Sequence, residues 1–305
     1  MSLGVLNNLN AIYATNNLNN TNVALSKTLQ QLSSGSRINS GADDAAGLSL
    51  VNGLAANSTA LTQSATNATE GVGMLQVADG ALSQVTNLLN RAVTLATEAS
   101  NGTLNTSQLT AANQEYQSIL AEINNIGSTT TYNQNTVFGG TSDVAIYTGD
   151  SSTAGASIDS LHFAALTSAS VGDAGGTVAL TAASGSTPAT IGYTAATSGA
   201  SVDLTSKDIS TQAGAEATLT LLNTAITDVA AQQGYIGSQI NTLNAVSQVL
   251  NTQQQNIVAA QNAVQATDYA EATSNLSKYE ILSQTGISAL AQANSLQQEV
   301  TKLLQ

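Results

Sequence analysis

The chain has 305 residues, 42% of them hydrophobic and 8% charged, with 6 Lys+Arg against 19 Asp+Glu for a net charge of -13. Such an acidic chain offers no basic patch to nucleic acid or to an anionic membrane surface, and the absence of cysteine excludes disulfides, thiolate catalysis and cysteine metal sites. No apolar stretch is long enough to span a bilayer, and Asn, Gln, Ser and Thr fill helix positions where ordinary domains place charges, either through compositional drift or because neighbouring copies cover that surface.

The start, Met1-Ser2-Leu3-Gly4-Val5-Leu6-Asn7-Asn8, has neither a basic n-region nor a long apolar run. It does not read as a cleaved signal peptide, which leaves the cytoplasm as the default compartment. Leu18, Leu25 and Leu32 then stand seven apart, the spacing of a coiled-coil strand. Gly35 and Gly41 break that helix, and the stretch from Ser33 to Leu48 reads as a connector of fixed shape. In it, Ser40 or Asp43 is expected to cap the next helix, with acidic residues in its first turn. Arg37 brings a fork of donors suited to carbonyls or a carboxylate across the connector.

The next helix carries Leu54, Leu61, Ala68, Leu75, Leu82, Leu89 and Ala96 at the seven-residue step, and its Gly71 and Gly73 are expected to relieve crowding inside a bundle. A shorter helix follows with Leu109, Ala112, Tyr116, Ile119, Ile123 and Ile126 at alternating steps of three and four. Residues 141–207 have a different texture, rich in Gly, Ser, Thr and Ala, and hold the lone histidine, His162, and the lone proline, Pro188. Short alternating runs at Val144–Tyr147, Val178–Leu180, Ile191–Tyr193 and Val202–Leu204 predict brief strands. The clearest seam comes next: Leu222, Val229, Ile236, Leu243, Leu250, Ile257 and Val264, a helical rod of roughly 63 Å at 1.5 Å per residue. Ile226, Gln233, Ile240 and Ser247 interleave with it. Near the end, Leu282, Ala289, Leu296 and Leu303 repeat the step, with Tyr279, Gly286, Ala293 and Val300 between them.

The reading is a mainly α fold. A long coiled-coil-like bundle is formed by the N- and C-terminal segments, with a small central β-rich domain between them. Three domains are expected: a terminal helical coiled coil from 1–42 and 266–305, a long-helix rod from 43–140 and 208–265, and a variable β-rich domain at 141–207. On this plan residues from about 145 to 205 can be deleted without loss of the helical seams.

Leu32-Ser33-Ser34-Gly35 with Arg37-Ile38-Asn39-Ser40, and then Asp43-Asp44-Ala45-Ala46-Gly47, resembles the N-terminal motif of bacterial flagellin, the subunit of the flagellar filament. Asp268-Tyr269-Ala270, Ser274-Asn275-Leu276-Ser277-Lys278, Ile281-Leu282 and Leu290-Ala291-Gln292-Ala293-Asn294 resemble its C-terminal motif. The resemblance covers about residues 1–140 and 208–305. It implies a self-assembling homopolymer for swimming motility, with terminal helices lining the filament core (Leu18, Leu25, Leu32, Leu282, Ala289, Leu296, Leu303) and the rod seams outside them. It also implies a connector shaped by Arg37, Asn39, Asp43 and Asp44, and export to an extracellular flagellum without a cleaved signal, which reverses the cytoplasmic default. Its implied partners are the flagellar export apparatus and chaperone, the filament cap and hook-associated proteins. The alternative within the resemblance is the hook–filament junction protein, an adaptor that does not propagate. Ser295-Leu296-Gln297-Gln298 stands where many members carry a proline, and the chain ends in Gln305 rather than a basic residue.

The segment Asn90–Ala96 is similar to the one that vertebrate Toll-like receptor 5 binds, with Arg91, Leu95 and Glu115 on the matching positions. An exposed arginine, an apolar side chain four residues on and a carboxylate from the adjacent helix would make a receptor hot spot. The other reading makes Leu95 packing and the charges an interhelix pair. No enzyme is read here. One histidine cannot form the paired-histidine zinc site that some members of the family carry, adjacent Asp43 and Asp44 do not face each other as acid and base, and no cofactor is expected.

Overall fold

The computed structural model describes residues 8–139, 144–149, 158–161, 163–171, 177–181, 190–194 and 202–303, so His162 and Pro188 lie outside the described residues. Helix ends follow local chemistry. Asn8 starts α1 (Leu9–Ser34), its side chain accepting from the Ala11 amide at 3.0 Å. Gly35 ends it in the left-handed conformation, φ 69°, donating its amide to the Gln31 carbonyl. α2 (Ala45–Ser100) opens on Asp44, whose Oδ1 accepts from the Gly47 amide at 2.8 Å. The cap expected at Ser40 or Asp43 is therefore Asp44, because the Asp43 carboxylate is already engaged by Lys27 and by the amides of Asn39 and Ser40.

α3 (Thr106–Thr129) begins with a capping box: the Asn105 side chain accepts from the Gln108 amide, and the Gln108 side chain accepts from the Asn105 amide. α4 (Gln212–Gln265) is entered through Thr211, whose hydroxyl accepts from Gly214. α5 (Tyr269–Leu303) is entered through Asp268, whose carboxylate accepts from Ala270 and Glu271 and faces the positive end of the helix dipole.

Among the described residues, three antiparallel hairpins lie between α3 and α4. β1 (Thr131–Tyr132) pairs with β2 (Asn135–Thr136) through a turn with positive φ at both Asn133 (48°) and Gln134 (66°). β3 (Val144–Tyr147) pairs with β4 (Ile158–Leu161), Val144 opposite Leu161, and β5 (Thr177–Thr181) pairs with β6 (Thr190–Thr194), Thr177 opposite Thr194. The strand expected at Val202–Leu204 is absent. Val202 makes a single bridge to Val171, and the Leu204 amide is donated to the Ser168 carbonyl.

The chain divides into two compact units, residues 57–255, and residues 1–56 with 256–305. In the first, α2 and α4 run antiparallel: a Cβ at Gly71 would meet Leu243 at 3.1 Å, while Gln233 donates to Ser83 at 3.2 Å, twelve residues on along α2 and ten back along α4. Leu61, Leu75, Leu82 and Leu89 of α2 and Leu222, Val229, Ile236 and Leu243 of α4 are fully buried, with Tyr116 and Ile123 of α3. The second row beside the α4 seam is Thr218, Ala225, Gln232 and Gln239, which are buried, whereas Ile226 and Ile240 are only partly so. Gly71 and Gly73 give passage to the central segment: Ile146 and the Tyr132 hydroxyl would each lie 3.3 Å from a Cβ there.

The central segment is welded to these helices rather than appended to them. Leu161, Phe163, Leu166, Val171, Val202, Leu204 and Ile209 belong to the same buried core as α2, α3 and α4. The buried Ser64 hydroxyl donates to the Gly149 carbonyl at 2.6 Å, and the Asn67 side chain donates to the Tyr147 carbonyl at 3.0 Å. From α3, Asn113 accepts from Ile209, Gln117 donates to the Lys207 carbonyl, and Asn124 both accepts from the Ser168 amide and donates to its hydroxyl. Gly127 is needed because a Cβ there would collide with the Leu166 carbonyl. Removing 145–205 as one block would take Leu161, Phe163, Leu166, Val171, Val202 and Leu204 out of the core, which counts against the expectation that the block is dispensable.

Candidate assembly surface

The unit made of residues 1–56 and 256–305 holds both termini. Its connector is set by backbone groups at the end of α4. Ser36 bridges to Ala266, the Arg37 amide is donated to the Gln265 carbonyl at 2.7 Å, and Thr267 donates to Gly35. The Arg37 guanidinium, through Nη2, donates to the Val264 carbonyl at 2.8 Å. A cation thus meets one of the last four carbonyls of a helix, where no intrahelical donor remains and the dipole is negative. Asn39 donates to the Ser36 carbonyl, so the four connector residues act on this turn directly or, for Asp44, at the start of α2. Asp43 pairs with Lys27 of α1 at 2.8 Å. Lys27 first, then the Ser40 hydroxyl and the Asn39 and Ser40 amides, hold its carboxyl at about 2, below the ordinary 3.8, against a smaller opposing desolvation. Gly47 is buried where a Cβ would stand 2.7 Å from Ile38.

α1 and α5 pair along their length. Asn8 donates to the Ala293 carbonyl at 2.9 Å, Ser283 donates to Asn22 at 3.2 Å, and a Cβ at Gly286 would lie 3.3 Å from Leu18. Along α1 the shielded positions include Ala11, Ala14, Leu18, Thr21, Leu25, Thr28 and Leu32, a 3-4 repeat, with Ala24 and Gln31 beside it. Along α5 they include Ala272, Leu276, Tyr279, Ser283, Gly286, Leu290 and Ala293, with Asn275 and Ser295 at their margin. The pairing phase of α5 is therefore the row containing Tyr279, Gly286 and Ala293. Leu282 at 44% and Leu296 at 46% exposure point away from it, and Ala289 is exposed too. The Leu303 side chain lies outside the described residues. Small residues at 286 and 293 let the two backbones approach, which a leucine row would hold apart.

What remains uncovered includes large apolar side chains among many polar ones. Ile12, Tyr13 and Val23 on α1, with Ile281, Leu282 and Ile287 on α5, are all more than two-fifths exposed. Sequence spacing alone missed Ile12, Val23, Ile281 and Ile287 because they belong to no seven-residue row. Their signal is that two terminal helices carry more aliphatic side chains than one interface can use. In the rod seam, Leu75, Leu82, Leu89, Leu222, Val229, Ile236, Leu243 and Leu250 are buried, and Ile257 and Val264 are half-buried.

The three residues at the receptor-like segment separate. Arg91 Nε donates to Glu115 Oε1 at 2.7 Å, with both side chains about half exposed. Each shifts the other in the direction of the charged form, Arg91 upward and Glu115 downward. Leu95 is 3% exposed and belongs to the core, so it is packing rather than a surface contact. Residues four apart on an α-helix share one side but differ by about 40° around its axis, enough for Arg91 to clear the core edge while Leu95 faces inward.

Comparison with known proteins matches residues 5–143 to the bacterial flagellin N-terminal helical region and residues 219–304 to the bacterial flagellin C-terminal helical region. A flagellin of Listeria monocytogenes is 32% identical over 292 residues, covering 94% of each chain. Flagellin B of Vibrio cholerae is 27% identical, covering 100% of each. A crystal structure of Bacillus cereus flagellin is 26% identical and covers 64% of this chain and 94% of its own, with a TM-score of 0.43.

Proposed function

This chain belongs to the bacterial flagellin family, a structural family, and from that premise we propose that its uncovered α1 and α5 faces are the surface on which copies join. As a flagellin it is a filament subunit that polymerises outside the cell and serves motility. Among the described residues, no helix is long and apolar enough to cross a membrane. No observation favours the hook–filament junction alternative.

Within the filament, residues 1–42 and 266–305 form the inner core, 43–140 and 208–265 the outer helical layer, and 141–207 the surface domain. The observation that supports this division is the set of large aliphatic side chains that α1 and α5 leave exposed after they have paired, which on a chain this poor in charge call for a cover. In the inner core, Leu282, Ala289 and Leu296 contact other subunits rather than their own α1. Export runs through the flagellar apparatus without a cleaved signal, assisted by a chaperone, and the further partners are the filament cap and hook-associated proteins. The subunit acts without catalysis or cofactor. Recognition by vertebrate Toll-like receptor 5, if the chain retains it, runs through Arg91 and Glu115.

The test is polymerisation of purified full-length chain onto filament fragments in the absence of cap, followed by helical reconstruction. Long filaments with Ile281, Leu282 and Ile287 buried between subunits are expected. Short adaptors that do not propagate would favour the junction role, and filaments leaving that face in solvent would remove the proposed surface.

A further inference from the structure

The sequence contains two Asn-Gly pairs, Asn52-Gly53 and Asn101-Gly102. An Asn-Gly amide can deamidate spontaneously. The glycine nitrogen loses its proton to water and attacks the asparagine Cγ, a C–N bond forms, and the side-chain nitrogen leaves as ammonia. Water then opens the resulting cyclic imide at either carbonyl, giving aspartate or isoaspartate. No oxidant or reductant is involved, and the co-reactant is water. What decides the rate in a folded chain is whether that backbone nitrogen is free and can reach Cγ.

The two sites differ on both counts. Asn52 and Gly53 lie inside α2, where each amide is tied to the carbonyl four residues before it and the helical backbone holds the next nitrogen away from Cγ. Asn101 and Gly102 lie in the turn just past the end of α2. Asn101 is exposed, its own amide reaching back to the Glu98 carbonyl at 3.3 Å. Gly102 has φ 64°, outside helical conformation, and its amide makes no hydrogen bond among the described residues. Having no Cβ, it leaves the nitrogen unscreened. Thr103 accepts from the Asn101 side-chain amide at 3.3 Å, which holds the leaving nitrogen within the turn.

We propose that Asn101 is a spontaneous deamidation site of the folded subunit, exposed by the α2–α3 turn, while Asn52 is protected by its helix. The product carries a new carboxylate one turn after Glu98, at the negative end of the 56-residue α2, where a further negative charge is unfavourable. In its isoaspartyl form it also lengthens the backbone beside Gly102, whose Cβ position is already 3.1 Å from Gln212. An ageing population of subunits therefore acquires charge and backbone heterogeneity at this turn.

The experiment incubates the full chain at mildly alkaline pH, folded and in urea. Peptide mapping and isoaspartyl methyltransferase labelling then quantify conversion at both asparagines, with Asn101→Ser as the assignment control. In the folded chain conversion at Asn101 should exceed that at Asn52 by about ten-fold or more, the suppression expected where reaction requires opening of a helix. In urea the two rates should converge. Equal rates in the folded chain, or an Asn101 rate that rises about ten-fold or more when the chain unfolds, would overturn the proposal. So would labelling that persists at this peptide in Asn101→Ser.

Discussion

Leu243 and Asn241 stand two positions apart on α4 and differ completely in environment, Leu243 being fully buried and Asn241 exposed. Leu243→Asp should destabilise the folded chain by about 3–5 kcal/mol, since it loses packing and leaves a carboxyl that is either desolvated or protonated. Asn241→Asp should stay within about 0.5 kcal/mol. Thermal melts of both measure this, and equal effects would mean the helix phase is wrong. A second residue-scale expectation concerns acid. Asp43 is held at about 2 against 3.8 by Lys27 first of all, so its contribution is present above the unfolded value and lost as pH falls through the folded one. Asp43→Asn should melt lower than the parent at neutral pH, with the gap closing as pH approaches about 2. A gap that persists in acid would show that the ion pair is not its source. The connector was only partly legible in sequence: Gly35, Arg37 and the paired aspartates marked a turn, but which aspartate caps α2 depends on Lys27, a partner a helix away.

Among the elements, the long helices of the rod were legible because their partners are in the same chain and bury most of the apolar rows, from Leu61 to Ala96 and from Leu222 to Leu250. α5 was legible as a helix but not in phase. Two rows compete on it, and leucine content favours Leu282 and Leu296, while the structure pairs Gly286 and its row with α1. Gly286→Leu should disturb the α1–α5 pair by about 1–3 kcal/mol through overpacking against Leu18, seen as loss of helical signal in the unassembled chain. Leu282→Asn should leave that signal intact and reduce filament yield. The opposite pattern would restore the leucine row to the pair. The β1–β2 hairpin escaped the sequence reading because Gln134 sits where such a turn usually shows glycine, and β4 because Ile158–Leu161 has no long alternation of its own.

At the scale of the molecule, a low charge content has a structural counterpart. Neutral amides at Asn67, Asn113, Gln117 and Asn124 serve backbone groups of the central segment, work for which a charged side chain would carry a larger desolvation cost. Composition showed that amides were abundant, and only tertiary contacts show what they hold. The same contacts revise what can be removed. Val171 and Val202 are bridged, so replacing 172–201 by a short turn should preserve helical content and thermal stability. Deleting 145–205 removes Leu161, Phe163, Leu166 and Val171 from the core and should leave little folded protein. Circular dichroism of the two deletions checks this, and equal loss would place the β5–β6 hairpin in the folding core as well.

The central claim is that terminal helices α1 and α5 carry assembly while the unit of residues 57–255 folds by itself. The measurement is filament yield, by sedimentation and electron microscopy, of a chain lacking 1–40 and 268–305, with circular dichroism on the same sample. A helical, cooperatively melting and strictly non-polymerising protein is the expected result. Filaments of normal length from that truncated chain would contradict the account.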